Sequence, residues 1–374
     1  MCIGRTVVEM NEIRFGIIGT GMMGTEHMRN VLALDGAAIT AVSDPNDEPL
    51  QWARWTLGDD HVPVAEFQDH NDLVASGLCD AVIIASPNFT HVDVLTDVLR
   101  SDLAVLVEKP LCTTVDDCRR IERLAANRDA LTWVGLEYRY MAPVRTLLEQ
   151  LAGGATGDLA MLAIREHRFP FLPKVDNWNR FTRNTGGTLV EKCCHFFDLM
   201  NLAMRTSRPD DRPVRVYASG AQNVNHLDER YDGETPDILD NAFVIVDYAS
   251  GARASLDLCM FAEAGRNEQE VVATGPAGKI EAFVPGPGHV YVGDRATREV
   301  RKVQIVADPR IAYVGAHHGA SFLEVAEFAD AIRSGLAPVV TVDDGLWSVA
   351  IGEAAHRSID EARPVSLAEF GLGT

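Results

Sequence analysis

The chain has 374 residues, of which 47% are hydrophobic and 24% are charged, and its formal net charge is −20. This length exceeds what one ordinary hydrophobic core supports, so two domains are expected, and the composition excludes wholesale disorder. The strong negative charge disfavours binding to nucleic acid or to an anionic membrane surface, because both need clustered Lys and Arg.

The apolar segments of the chain are too short to cross a membrane. The runs Ala81–Ala85 and Leu103–Val107 fall far short of the ~20 residues that a spanning helix needs. Residues 1–11 lack the basic and then apolar pattern of a secretory signal, and we expect a frayed extension there. The seven cysteines are scattered, which favours reduced thiols over a disulfide framework. The sequence thus predicts a cytoplasmic protein without a membrane partner.

Strand-like and helix-like segments alternate in the first third of the chain. The predicted strands are Ile13–Ile18, Ala38–Ser43, Asp80–Ser86, Leu103–Val107 and Leu131–Gly135. The predicted helices are Met23–Leu34, Glu48–Leu57, Thr90–Arg100 and Val115–Asn127, the last behind a Thr114 cap. Apolar strands that alternate with helices are typical of a parallel sheet covered on both faces. The pattern predicts a doubly wound, Rossmann-type α/β domain over residues 1–135.

A glycine-rich turn joins the first predicted strand to the first predicted helix. Its residues are Gly19, Thr20, Gly21, Met22, Met23 and Gly24. Such a turn lets the backbone approach a pyrophosphate at a helix N-terminus, and an acidic residue about 20 positions on binds the ribose hydroxyls. Asp44 occupies that position, and Asp47 and Glu48 add negative charge where a 2′-phosphate would need a basic residue. The sequence predicts NAD as the cofactor; the alternative is a structural glycine turn beside a solvated Asp44.

From about Leu159 the pattern changes to alternating apolar and polar residues. The predicted strands here are Val214–Ala218, Phe243–Tyr248 and Arg253–Phe261, with a turn at Thr274–Gly278 between two more. Two helices, Ser321–Ser334 and Asp344–Asp360, are predicted near the end of the chain. Period-two alternation is typical of an antiparallel sheet with one uncovered face. We expect a second α/β domain with a mostly antiparallel open sheet over residues 136–374.

Two segments carry candidate acid–base residues. Lys109 follows the fourth predicted strand, at the edge of the sheet where ligands bind in α/β folds, although pairing with Glu108 at the surface is an alternative. Leu189–Met200 is predicted as one helix entered through two glycines. Glu191 and His195 are four residues apart on it and so share a face, as an acid–base pair would. The alternative is a packed core histidine.

Together these motifs resemble the glucose–fructose oxidoreductase, inositol dehydrogenase and rhizopine catabolism (Gfo/Idh/MocA) family over nearly the whole chain. The matching segments are the glycine turn at 19–24, Ser86-Pro87-Asn88-Phe89-Thr90-His91, Glu108-Lys109-Pro110, the Gly-Gly-x-Leu…His-x-x-Asp block at 186–198, and a tail with Phe328, Gly335 and Pro338. The resemblance implies an NAD-binding Rossmann domain, a small-molecule sugar, inositol or other polyol as substrate, and a homodimer or homotetramer formed through the second sheet.

The resemblance also implies roles for three catalytic residues. Lys109 would bind the reacting oxygen and take part in proton transfer, with its pKa lowered by burial and by the nicotinamide. His195 would be the partner acid or base. Glu191 would be a substrate ligand. Inositol-type members usually carry Asp at this position, so the carboxylate of this chain lies roughly one bond length further out.

The remaining predicted contacts follow from the same motifs. The predicted cofactor-binding residues are Gly19, Thr20, Gly21, Met22, Met23, Gly24, Asp44, Ser86, Pro87, Asn88, His91, Glu108, Lys109 and Arg139. The predicted substrate-binding residues are Lys109, Tyr138, Trp178, Glu191, His195 and His318. Cys193, Cys194 and His195 are consecutive, so their side chains diverge and no metal site is expected. Lys192 points away from the face that Glu191 and His195 share and has no predicted role.

Hydride transfer between NAD and a sugar-like alcohol is the function these features favour. A redox-assisted lyase or glycosidase with tightly held NAD is one alternative, and a non-catalytic NAD or sugar sensor is another. A sensor has no need of the pair formed by Lys109 and His195. Accumulation of NADH on mixing with substrate distinguishes a dehydrogenase from an enzyme that oxidises its substrate only transiently.

Overall fold

The computed structural model describes residues 12–58 and 63–373, and these residues form two sheets that follow one another along the chain. The extension predicted for residues 1–11 lies outside the described residues. Within the described ranges, no helix combines the length and the apolar character needed to span a bilayer.

Six parallel strands form the first sheet. They are β1 (Ile13–Ile18), β2 (Ala37–Ser43), β3 (Ala65–Phe67), β4 (Ala81–Ile84), β5 (Ala104–Glu108) and β6 (Thr132–Gly135). Their spatial order is β3-β2-β1-β4-β5-β6, which is the doubly wound order of a Rossmann domain. Every residue of β4, β5 and β6 is buried, as expected of a parallel sheet covered on both faces.

Five helices accompany this sheet. They are α1 (Met22–Leu32), α2 (Asp47–Leu57), α3 (His70–Ala75), α4 (His91–Val98) and α5 (Val115–Ala125). The Thr114 side chain caps α5 by accepting a hydrogen bond from the Asp117 backbone N–H. The five predicted strands and four predicted helices are confirmed to within two residues at each end. β3 and α3 were missed because three and six residues are too few to show a period.

Nine strands form the second sheet. They are β7 (Met161–His167), β8 (Pro213–Ala221), β9 (Asn241–Tyr248), β10 (Arg253–Cys259), β11 (Gln269–Thr274), β12 (Gly278–Val284), β13 (His289–Asp294), β14 (Val300–Gln304) and β15 (Val365–Ser366). Their order is β14-β13-β12-β11-β7-β10-β9-β8-β15. β7 and β10 run parallel, while each of the other neighbouring pairs is antiparallel. The prediction of a mostly antiparallel second sheet is confirmed.

Among the described residues, six more helices follow β6, and some of them pack on one face of the second sheet. They are α6 (Ala142–Ala152), α7 (Thr182–Thr185), α8 (Thr188–Glu191), α9 (Cys194–Ser207), α10 (Ala320–Ser334) and α11 (Val342–Glu361). α6 packs on β12 and β13, and α11 packs on β8. The opposite face exposes the large apolar side chains Met161, Tyr217, Phe243 and Ile245. α10 also contacts α1, and α11 contacts α5, so the last two helices join the two sheets.

The segment Leu189–Met200 is not one helix, and that prediction was wrong. α8 ends at Glu191 and α9 begins at Cys194, with a turn at 192–193 between them. At this break the Lys192 side chain is held by an ion pair with Glu166 and a hydrogen bond to Tyr138. Glu191 and His195 therefore lie on two short helices, and their relative position is set by the turn between them.

Candidate active site

The glycine turn between β1 and α1 leaves space for a phosphate group. Gly19 has a φ of +87°, and a Cβ on it would collide with the backbone of Ser86. A Cβ on Gly24 would collide with the Gly19 carbonyl oxygen, whereas a Cβ on Gly21 would meet nothing within 4 Å. The open side at Gly21 faces a cleft at the N-terminus of α1, where backbone N–H groups favour an anion. The turn fits the pyrophosphate of a dinucleotide.

Asp44 lies at the end of β2 beside this turn. One carboxylate oxygen, Oδ2, accepts a hydrogen bond of 2.9 Å from the Thr20 backbone N–H. The other, Oδ1, accepts a hydrogen bond of 3.0 Å from the Asn46 backbone N–H. Asp44 lines the cleft, and no arginine is present among the described residues that line it. This end of the cleft suits ribose hydroxyls and lacks a guanidinium group for a 2′-phosphate.

A single cleft of about 990 Å³ connects the glycine turn with the candidate catalytic residues. The predicted site residues that line it are Gly19, Gly21, Met22, Met23, Asp44, Ser86, Pro87, Asn88, Glu108, Lys109, Trp178 and Glu191. The predicted site residues outside the lining are Thr20, Gly24, His91, Tyr138, Arg139, His195 and His318. The structure therefore brings together the predicted cofactor-binding turn and two of the three predicted catalytic side chains.

His91 is buried and holds two loops of the site together. Its Nδ1 lies 2.8 Å from the Pro110 carbonyl oxygen, and its Nε2 lies 3.1 Å from the Ser86 carbonyl oxygen. The ring thus connects the segment after β4 to the turn after β5. His91 lies outside the cleft lining, and its contacts position the backbone around Ser86 and Pro110.

Glu108 and Lys109 lie at the carboxyl end of β5, but their side chains have different surroundings. The buried Glu108 carboxylate lies 2.6 Å from Nε2 of His27 and also accepts a hydrogen bond from the Lys109 backbone N–H. Although burial raises the pKa of Glu108, the hydrogen bond and charge of His27 lower it to about 2. Glu108 is therefore an ionised anchor that fixes the backbone at Lys109.

The Lys109 ammonium group reaches the last residue of α8. Its Nζ donates to the Glu191 carbonyl oxygen at 3.4 Å. Burial lowers the pKa of Lys109, but the acidic groups of Cys194, Glu108 and neighbouring carboxylates raise it by more, so the pKa lies above its ordinary value. The expected lowering of the Lys109 pKa is therefore absent in the protein alone. Lys109 is a charged hydrogen-bond donor.

The Glu191 side chain is buried and has spare hydrogen-bonding capacity. Its Oε2 has no hydrogen-bond partner among the described residues, although the side chain lines the cleft. Burial raises the pKa of Glu191 to about 7, against the opposing charges of Lys109 and Lys174. A buried carboxyl oxygen without a partner is costly unless a ligand satisfies it, so Glu191 is placed to bind a substrate hydroxyl.

His195 lies behind the cleft, with only 2% of its surface exposed. The Tyr138 ring stacks on it with a centroid separation of 3.9 Å and an interplanar angle of 5°. The phenol oxygen of Tyr138 accepts a 2.6 Å hydrogen bond from Lys192, whose Nζ also lies 3.0 Å from Glu166. Tyr138 thus positions His195 rather than lining the substrate cleft, and Lys192 is a buried anchor that sequence reasoning left without a role.

Two further predicted site residues, Arg139 and His318, lie outside the cleft lining. Arg139 is buried in ion pairs with Asp198 and Asp344, so its guanidinium group is not available to the cofactor. His318 is exposed and has a φ of 55°, whereas the preceding His317 is three-quarters buried and faces Glu137. The histidine that faces the interior is therefore His317.

Lys174 is a cleft residue that the sequence patterns did not identify. It lines the cleft with Trp178, whose ring packs edge-on against Phe89 at a centroid distance of 6.3 Å. Burial lowers the pKa of Lys174, and the charge of Glu191 opposes this shift. The available signal was composition, since Lys174 is one of only five lysines in the chain. Within the described residues, no group of three or more His, Cys, Asp or Glu side chains is arranged to hold a metal ion.

Comparison with known proteins agrees with this arrangement. A model described as an oxidoreductase family with an NAD-binding Rossmann fold matches residues 13–136, and a model for the family's C-terminal alpha/beta domain matches residues 148–367. The chain is 27% identical over 361 residues to the myo-inositol 2-dehydrogenase of Thermotoga maritima, which covers 96% of this chain and 99% of that protein. It is 26% identical over 358 residues to the inositol 2-dehydrogenase of Rhizobium meliloti, which covers 95% and 99%. The fold is also similar to that of a levoglucosan dehydrogenase in complex with NADH, at 18% identity and a TM-score of 0.81, with 96% and 99% covered.

Proposed function

Since this chain belongs to the Gfo/Idh/MocA family of NAD-binding oxidoreductases, we propose that it is a dehydrogenase that transfers a hydride between NAD and a hydroxyl carbon of an inositol, sugar or related polyol. The observation that carries the proposal is the continuous cleft between the glycine turn and the pair formed by Lys109 and Glu191. The relatives named as inositol dehydrogenases support a polyol as the substrate class.

In the proposed reaction the chain's own residues bind the substrate and accept the proton of its hydroxyl group. The bound cofactor would accept the hydride. The Lys109 ammonium group donates a hydrogen bond to the reacting oxygen and stabilises the negative charge that develops there. The open oxygen of Glu191 accepts a hydrogen bond from a second hydroxyl group.

His195 is the proton acceptor in this scheme. Burial, reinforced by the positive charge of Lys109, lowers the pKa of His195 well below its ordinary value. Its imidazole is therefore neutral near pH 7 and can take the hydroxyl proton, which a charged Lys109 cannot. In the proposed reaction, Lys109 therefore binds the reacting oxygen and His195 accepts the hydroxyl proton.

A substrate panel with NAD tests the proposal directly. Inositols, other polyols and aldoses are mixed with the protein and NAD, and the absorbance of NADH is followed. At least one substrate is expected to give NADH in proportion to turnover. NADH that forms only once per protein molecule favours the redox-assisted lyase, and binding of a sugar without any change in absorbance favours the sensor.

We expect Asp44 to make the enzyme prefer NAD over NADP by at least about tenfold in kcat/KM, or about 1.4 kcal/mol. The reason is that its carboxylate repels a 2′-phosphate at a cleft end without arginine. Asp44→Ser is expected to reduce the preference. Asp47→Ser is the control. The sequence pattern placed the charge of Asp47 beside a 2′-phosphate, but the structure leaves Asp47 outside the cleft lining, so this variant should keep the preference. Equal kcat/KM for the two cofactors in the unmodified enzyme contradicts this role for Asp44.

Glu191→Gln is expected to raise KM for the substrate more than it lowers kcat. A lost hydrogen bond to a charged group is worth ~1.5–3 kcal/mol, or roughly ten- to a hundredfold in KM. The charged form predominates above the Glu191 pKa of about 7, so KM should fall as pH rises through that value. The Gln variant should lose this dependence in steady-state kinetics.

A Gln variant with unchanged KM and collapsed kcat would place Glu191 in the chemical step instead. Glu191→Asp provides a second comparison, because it recreates the carboxylate length usual in inositol-type members. We expect Glu191→Asp not to confer inositol activity by itself, since Trp178 and its loop still shape the cleft.

Three further predictions extend this proposal to the whole protein. We place the boundary between the cofactor domain and the substrate domain between residues 135 and 136.

We expect a homodimer or homotetramer that buries the apolar face bearing Tyr217, Phe243 and Ile245, because exposed apolar patches of this kind mark interaction surfaces. We also expect a cytoplasmic location.

A further inference from the structure

Glu137 lies between two histidines at the junction of the two sheets. Its Oε1 is 3.6 Å from Nε2 of His195 and 3.8 Å from Nε2 of His317. The three side chains come from the helical turn after β6, from α9 and from the loop before α10. Nothing in the proposed roles of Lys109, Glu191 and His195 requires this arrangement.

The three side chains form a gradient from the interior to solvent. His195 and Glu137 are each 2% exposed, whereas the His317 side chain is 25% exposed. Within the described residues, Oε2 of Glu137 and Nδ1 of His195 have no hydrogen-bond partner, while Nδ1 of His317 lies 3.2 Å from the Ser321 hydroxyl. A buried histidine that takes up a proton at each turnover needs a path that returns the proton to water.

We propose that Glu137 and His317 form the path by which the proton of the substrate hydroxyl leaves His195, a role that rests on the proposed dehydrogenase function. During oxidation the C–H hydride goes to NAD and the O–H proton goes to His195. His195 passes that proton to Oε1 of Glu137, which passes it to His317 and then to water. The sum is alcohol plus NAD giving ketone, NADH and one released proton, and reduction uses the same path in reverse.

The charges around Glu137 make it able to exchange a proton near neutral pH. The titratable groups that face it come from several elements. They are Glu108 and Lys109 at the end of β5, Tyr138 beside it, Lys192 before α9, Cys194 and His195 on α9, His317 before α10 and Glu324 on α10. Burial and the charge of Glu108 raise the pKa of Glu137 to about 8. Burial and the charge of Lys192 lower the pKa of His317 to about 4, so His317 releases a proton readily to water.

The sign of the pH dependence follows from these values. In oxidation Glu137 must be a carboxylate to accept the proton, so kcat should rise with pH through about 8. In reduction Glu137 must be protonated, so kcat should fall with pH through the same range. A purely structural Glu137 would give neither dependence.

The neighbouring pair His317 and His318 allows a matched test. His317→Asn removes the titrating ring but keeps an amide within reach of Ser321, and His318→Asn changes the exposed residue beside it. We expect His317→Asn and Glu137→Gln each to lower kcat at least tenfold. Glu137→Gln, which removes the carboxyl group that titrates near pH 8, should also abolish the pH dependence in that range. We also expect the kcat of His317→Asn to rise with the concentration of imidazole buffer, which would carry the proton in place of the lost ring. His318→Asn should behave like the unmodified enzyme.

Identical kcat, pH profile and buffer dependence in His317→Asn and His318→Asn would overturn the path while leaving the dehydrogenase function intact. An NMR titration of labelled histidines in the protein alone separates the two proposals when no substrate is oxidised. The His317 resonance should show an inflection near pH 8 that disappears in Glu137→Gln. A His317 resonance without that inflection overturns the path regardless of activity.

Discussion

Lys109→Met and His195→Asn are each expected to lower kcat by about 10²–10⁴, the range for removing a positioned acid, base or charged donor. Lys109 is held as an ammonium group in the lining of the cleft, where a methionine has similar bulk but donates no hydrogen bond. His195 is a neutral base under Tyr138, and an asparagine there cannot take up the proton. Steady-state kinetics with the substrate found in the panel measures both losses.

A matched lysine and a binding assay separate catalysis from folding. Lys279→Met is the control for Lys109→Met, because Lys279 is an exposed residue of β12 that pairs with Glu281. NADH binding, measured by fluorescence, should stay within a few-fold in both variants, since each residue is proposed to act on the substrate oxygen and not on the cofactor. An unfolded His195→Asn protein, or one with an unchanged rate, would assign His195 to the hydrophobic core instead.

The Rossmann half of the molecule was predictable because its signals are local. Each buried strand is a short apolar run, and the glycine turn follows directly from the steric needs of Gly19 and Gly24. Lys109 was predictable for a related reason. A residue at the carboxyl end of β5 lies at the edge of the sheet where parallel α/β folds bind ligands. This position does not depend on how the other segments fold.

The parts of the site that depend on tertiary contacts were not predictable. The helix break after Glu191 coincides with the anchoring of Lys192 by Glu166 on β7, a partner 26 residues earlier that no helical period reveals. The pKa of Lys109 depends on acidic groups from several elements, so burial does not set its direction in the protein alone. Which of the two adjacent histidines faces the interior depends on the left-handed backbone at His318. This conformation leaves His318 exposed while His317 faces Glu137.

The surroundings of Arg139 also depend on tertiary contacts that the sequence does not reveal. From these contacts we expect the largest effect of a mutation on stability. Its Nε donates a 2.6 Å hydrogen bond to Asp198 on α9, and a second nitrogen of the guanidinium group pairs with the other Asp198 oxygen. The same guanidinium lies 3.2 Å from Asp344 on α11 and donates to the Val339 carbonyl oxygen at 3.1 Å. Arg139 thus ties the turn after β6 to α9 and α11.

Asp198→Ala is expected to lower the free energy of unfolding by about 3 kcal/mol. Removing one partner of a buried ion pair costs about 3–5 kcal/mol because the other charge stays buried, and the low end applies here since Asp344 still faces Arg139. Thermal and urea denaturation of the two proteins, followed by circular dichroism, measure the loss.

The control for Asp198→Ala is Asp80→Ala, which removes a similar forked arginine pair at the surface. Arg14 bonds Asp80 through Nε at 3.1 Å and through a terminal nitrogen at 2.8 Å, but both side chains are more than 40% exposed. Water and salt replace an exposed pair at little cost, so Asp80→Ala should be much less destabilising. Equal losses in the two variants would mean that Arg139 finds other partners when Asp198 is gone, and that the turn after β6 is held by packing rather than by this ion pair.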